Sequence, residues 1–98
     1  MIKKSYSKTG NHCRVTFKIP PGSKAKTAAV CADFNNWDQN TNPMTRTSTG
    51  SFFITYSLPS GRSYRFRYLM GGHRWENDEA ADHYVANDYG SEDSVVVT

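Results

Sequence analysis

The chain has 98 residues, with twelve Lys and Arg against nine Asp and Glu. That is enough for one domain with a single core, spanning residues 1–98, and too little for a second domain or a deep multi-part active site. Hydrophobic residues at 37 % and aromatic residues at 13 % suit a thin β-sandwich better than a helical bundle.

The charge is unevenly placed. All twelve cations lie in residues 1–75, against only Asp33 and Asp38, a local balance of +10, whereas residues 76–98 hold the other seven acids and no base, a balance of −7. The acidic end either lies against the basic part of the fold or forms a solvated edge. Either way the cation excess is partly offset, and no run of five Lys or Arg occurs, so nucleic acid is not an expected partner. No apolar run approaches the length of a membrane span, and the start MIKKSYSK is basic without the apolar stretch of a secretory signal. No membrane partner is expected.

Along the chain the hydrophobic period is two. In HCRVTFKIP, Cys13, Val15, Phe17 and Ile19 alternate with polar neighbours and Pro20-Pro21-Gly22 ends the run, which predicts a half-buried strand. In TAAVCADF the inner set is Ala28, Val30, Ala32 and Phe34. On that reading Cys13 faces inward and Cys31 outward. No disulfide is then expected, and a reducing, cytoplasmic location is favoured. In SFFITYSLPSG, Phe52, Ile54, Tyr56 and Leu58 point one way before the turn at Pro59-Ser60-Gly61. SYRFRYLM turns Tyr64, Phe66, Tyr68 and Met70 inward and Arg65, Arg67 and Leu69 outward, and Gly71-Gly72 predicts a tight hairpin into HRWEN. No window predicts a helix; NDEAADHY comes nearest, with room for a turn or two, and SVVVT closes the chain as a strand. Short strands punctuated by turns over this length predict an all-β, immunoglobulin-like antiparallel sandwich.

Catalytic and metal chemistry find little support. A glycosidase needs two carboxyls across a cleft. Asp33 and Asp38 flank a turn instead, where such residues ordinarily bond backbone N–H groups. ENDEAAD, residues 76–82, is dense in acids but lacks the spacing and central Gly of an EF-hand loop, and His12, His73 and His83 are scattered. No cofactor and no metal are expected.

The tryptophans break the core pattern. Trp37 stands in DFNNWD among Asn35, Asn36 and Asp38, and Trp75 follows the Gly71-Gly72 turn between Arg74 and Glu76. An indole offers a wide apolar face with few rotors to freeze, which suits the C–H face of a pyranose, while Asn, Asp and Arg suit its hydroxyl rim. The alternative is two rings folded onto their own loops.

The succession CADFNNWD, NPMTR, GSFFITYSLPSGRSYRFRYLMGG and RWENDEAADHYVANDYGSEDSVVV resembles carbohydrate-binding module family 48, the isoamylase N-terminal or early-set domain. Its relatives precede the catalytic barrel of glycogen branching and debranching enzymes and occur in the β subunit of AMP-activated protein kinase. The likeness runs from about residue 13 to the end, and FNNW combined with the Y-x-F-x-Y…G-x-x-W hairpin is its most specific part. The resemblance implies an early-set, immunoglobulin-like sandwich that binds α-glucan at a shallow surface site without catalysis. It implies stacking by Trp37 and Trp75 and hydroxyl bonding by Arg67; in such a site Asn36, beside Trp37, would also bond the hydroxyl rim. Tyr89 falls where a leucine enters the coiled glucan, Ser91 where a threonine stands, and Asp93 where an asparagine bonds the sugar. Two departures stand out: Asp93 accepts but does not donate when ionised, and Gly71 replaces a common Asp. A second function class also fits the sequence, a regulatory module that docks a glucan-metabolising enzyme and has lost sugar binding.

Overall fold

The structure, a computed structural model, describes residues 1–39 and 42–98. The described residues form nine strands: β1 (Ile2–Tyr6), β2 (His12–Ile19), β3 (Ala28–Ala32), β4 (Thr45–Arg46), β5 (Phe52–Pro59), β6 (Ser63–Met70), β7 (Arg74–Glu76), β8 (His83–Ala86) and β9 (Glu92–Val97). They form two antiparallel sheets, ordered β1-β2-β5-β4 and β3-β6-β9-β8, with β7 added to β6. This is the early-set, immunoglobulin-like sandwich expected from the sequence.

The alternation explains the layering. Side chains of successive strand residues take opposite faces, so Cys13, Val15 and Phe17 of β2 meet Val30 of β3, Phe66, Tyr68 and Met70 of β6 and Val96 of β9 in one core between the sheets. Phe17 and Phe66 lie edge to face with centroids 4.9 Å apart. Phe34 packs on Tyr56 at 4.9 Å and on Tyr64 at 5.7 Å. The aromatic residues assigned to the core from their alternation therefore do pack on it, with Phe34, Tyr56 and Tyr64 partly buried at its margin.

Three details go beyond the sequence. Cys31 and Leu69 do lie on the outer face, yet both are buried, in a second small cluster with Ala29. The chain after β3 folds back over Ala29 and Cys31. Pro43 bridges Ala29, the Met44 N–H donates to the Ala28 carbonyl, and the Cys31 thiol reaches the Asp38 carbonyl at 3.3 Å. No helix forms in NDEAADHY. Only a turn forms around Glu79–Ala80, with the Ala80 N–H on Asp78 Oδ1, and His83 and Tyr84 enter β8 because pairing with β9 satisfies their backbone better than a short isolated helix would. The Gly71-Gly72 hairpin has a three-residue loop, since Met70 pairs with Arg74. Both glycines sit at positive φ, where glycine carries no steric cost.

The acidic end does lie against the basic part. Lys4 Nζ is 2.7 Å from Asp82 Oδ2, and the Met1 ammonium is 2.7 Å from the buried Asp78, which also accepts from the Tyr68 hydroxyl. Burial alone would raise the Asp82 carboxyl, but the Lys4 ammonium and the Val97 N–H outweigh it and hold the group below its usual range. These contacts tie the N-terminus and β1 of one sheet to the β7–β8 connection, β6 and β9 of the other.

Both cysteines are free. Burial, reinforced by the Asp38 charge, pushes the Cys31 thiol up to about 11, and burial together with Asp78 pushes the Tyr68 hydroxyl well above its usual range. Each group is held neutral in the folded protein. The stability it contributes is complete below its unfolded pKa and is lost as pH climbs toward the folded one. Urea midpoints are therefore expected to fall between pH 9 and pH 11, and thiol reagents at pH 8 should modify Cys13 and Cys31 only after unfolding. A midpoint unchanged over that interval would contradict the burial of these groups.

Candidate functional site

β6 is the spine of the most feature-rich surface. On one side it pairs with β3, from Ala28↔Met70 to Ala32↔Phe66. On the other, its first half pairs with β9 from Ser63↔Val97 to Phe66↔Ser94, and its second half with β7 from Tyr68↔Glu76 to Met70↔Arg74. Arg67 falls at the fork where β9 leaves and β7 begins. Because Phe66 and Tyr68 turn into the core, Arg67 comes to the outer face, and Trp75, the register partner of the outward Leu69, shares that face. The Arg67 guanidinium lies 5.7 Å from the centre of the Trp75 ring. Such a cation–π contact contributes about 0.5–1 kcal/mol at an exposed site and steadies the indole. Arg67 Nε is buried and meets no acceptor among the described residues.

Trp37 arrives from the turn after β3. Residues Asp33–Asn35 form one 3₁₀ turn, and Asn36 and Trp37 follow in the left-handed region at φ 58° and 56°. Asn35 makes this turn. Its Oδ1 accepts the Ala32 N–H at 2.9 Å, and its Nδ2 donates to the Val30 carbonyl at 2.8 Å. The Trp37 N–H then closes onto the Ala32 carbonyl at 2.8 Å. Asp33 accepts the Arg65 N–H across the gap to β6, which is the backbone-bonding role expected of it, though with a distant rather than a local partner. A bulky residue in the left-handed region costs roughly 1–2 kcal/mol, which the hydrogen bonds of the turn and the partial burial of the ring offset.

The third wall is the β8–β9 turn. Asn87 Oδ1 accepts the N–H groups of Tyr89 and Ser91, at 3.0 and 3.2 Å. That holds the turn with the Tyr89 ring 92 % exposed. Asp93, in β9, is 6 % exposed; its Oδ1 accepts from Asn87 Nδ2 at 3.1 Å and its Oδ2 lies 3.9 Å from Arg65 Nη1.

These three pieces border one groove of about 610 Å³. It brings together Trp37, Arg67, Trp75, Tyr89 and Asp93 from separate parts of the chain, with the two indoles 37 % and 38 % exposed. Asn36 and Ser91 are exposed beside the groove but do not line it. Gln39 and Asn87, which the sequence reading did not select, do line it. The signal for Asn87 was present in NDYGS, since an Asn two residues before an exposed turn residue favours a side-chain-to-backbone turn. Gln39 had no comparable signal.

Chemically the groove offers two flat apolar plates, a guanidinium at its floor, and an amide and a carboxylate on one wall. No helix long and apolar enough to cross a membrane occurs among the described residues. The family model described as Carbohydrate-binding module 48 (Isoamylase N-terminal domain) matches residues 11–89. That range contains Trp37, Arg67, Trp75, Asn87 and Tyr89, and stops short of Ser91 and Asp93. No curated protein matches the chain.

Proposed function

The chain belongs to carbohydrate-binding module family 48, and on that premise we propose that it binds α-1,4-linked glucan, with or without α-1,6 branches, in the β6 groove and does no chemistry on it. The observation that supports this reading is the pairing of two half-exposed indoles with polar groups of both hydrogen-bonding polarities around one concave surface. Trp37 and Trp75 stack on the C–H faces of glucose units. Arg67 donates to hydroxyls from the floor, Asp93 accepts at the wall, and Tyr89 projects into the curve that an α-glucan chain makes. Asn36 and Ser91, outside the lining, reach the ligand only where it overhangs the groove. Two free thiols suit a reducing compartment such as the cytoplasm, where glycogen or starch is the polymer to be held.

Each stack contributes roughly 1–1.5 kcal/mol. Ordering a flexible glucan offsets much of that, so affinity on the order of 10 μM to 1 mM is expected. The test is tryptophan fluorescence during titration with maltoheptaose, with cellohexaose as the flat β-linked control. A saturable change with maltoheptaose alone is the expected result. Equal responses to both sugars would remove the α-glucan assignment, and no response at millimolar maltoheptaose would remove sugar binding at this groove.

A further inference from the structure

Asn87 joins two parts of the groove wall, the Tyr89 turn and the Asp93 carboxylate. Its Oδ1 faces the N–H groups of Tyr89 and Ser91, while its own N–H donates to the Ser91 carbonyl at 2.9 Å. Its Nδ2 faces Asp93 Oδ1. Only one orientation of the amide satisfies this set. Flipped, it would put NH₂ against two N–H donors and oxygen against a carboxylate.

The consequences differ on the two sides. The Tyr89 ring is almost wholly exposed, so the core does not locate it; the backbone of its turn does, and Asn87 holds that backbone. Asp93 is buried at its carboxylate and partly engaged by Arg65. Asn87 takes one of its oxygens in a charge-assisted bond. Among the described residues the second N–H of the Asn87 amide meets no acceptor, and Asn87 lines the groove. Acceptor and donor therefore stand side by side on this wall, which offsets the inability of an ionised Asp93 to donate.

We propose that Asn87 is a positioning residue of the groove, setting the Tyr89 turn and the Asp93 carboxylate together for the glucan; this rests on the glucan-binding reading above. The roles separate by substitution. Asn87→Ala removes both arms. Asn87→Asp keeps an acceptor for the turn but opposes a second carboxylate to Asp93. The double variant Asn87→Asp/Asp93→Asn restores that hydrogen bond with donor and acceptor exchanged.

The experiment measures amide hydrogen exchange at Tyr89 and Ser91 by NMR, and maltoheptaose affinity, for the wild type, these three variants and Asp93→Asn, with thermal melts to verify folding. In Asn87→Ala, exchange at both amides is expected to quicken about tenfold, and affinity to fall by about as much. Asn87→Asp should keep wild-type exchange yet lose affinity about tenfold, and the double variant should return to within about threefold of Asp93→Asn alone. Unchanged exchange in Asn87→Ala, or a double variant no better than Asn87→Asp, would overturn the proposal. If the wild type ignores maltoheptaose, the sugar reading falls by itself, and the exchange rates still decide whether Asn87 sets the turn.

Discussion

Alanine at Trp37 or at Trp75 is expected to weaken maltoheptaose binding about tenfold, and the double substitution to take it beyond measurement. A stacked ring lost from a small interface with few other anchors removes roughly 1–1.5 kcal/mol or more, and tenfold corresponds to about 1.4 kcal/mol. The two positions differ in what else they change. Trp75 sits in a regular strand under the Arg67 guanidinium, so Trp75→Ala leaves Arg67 without its cation–π partner but leaves the backbone undisturbed. Trp37 occupies the left-handed region, where glycine is free of the steric cost that alanine keeps. Trp37→Gly and Trp37→Ala should therefore bind sugar equally poorly while the glycine variant is more stable by about 1 kcal/mol. Isothermal titration and urea unfolding of the pair test this together. Retention of wild-type affinity by either single variant would show that its ring is not a platform.

The second large effect concerns Asn35, which touches no ligand in this reading. Replacing it by alanine leaves the Ala32 N–H and the Val30 carbonyl without the partners they have now, at residues that are 0 % and 1 % exposed. Each unmet buried group costs about 1–3 kcal/mol. A loss of roughly 2–6 kcal/mol out of the 5–15 typical of a domain this size is a large fraction of its stability, and a fall in Tm of roughly 10–45 °C should accompany it. Asn35→Asp keeps the acceptor for Ala32 and should fall between wild type and alanine. Sugar affinity should drop in both variants well below their melting points, because the turn that presents Trp37 depends on this side chain. A full-affinity Asn35→Ala would mean that Trp37 is located by something other than its turn.

What the sequence by itself determined was the alternation, and with it the sandwich. A period of two over HCRVTFKI and SYRFRYLM leaves one set of faces to be buried, and burying them requires two sheets. The two tryptophans stood out as well, because Trp37 interrupts the alternation in a turn and Trp75 follows directly on the Gly71-Gly72 turn. The segment Ile2–Tyr6 was not legible as a strand. IKKSY has no alternation of its own and is held by pairing with β2 along Ile2↔Phe17 to Tyr6↔Cys13. The same holds for HYVA in β8, whose local preference competes with a helix until β9 supplies its partners.

Tertiary structure decided which outward residues are covered. Cys31 and Leu69 alternate outward as read, yet both are buried, Cys31 against the chain returning at Asp38, a contact between segments that no local pattern encodes. It also decided which polar residues reach the groove. Asn36 and Trp37 are neighbours in sequence and both left-handed, yet only Trp37 lines it. Asn87 reaches the groove through hydrogen bonds to its own turn and to a carboxylate on the next strand. Spacing along a chain specifies faces of strands. Which face meets which loop is set by long-range packing and by the need to satisfy each buried backbone group.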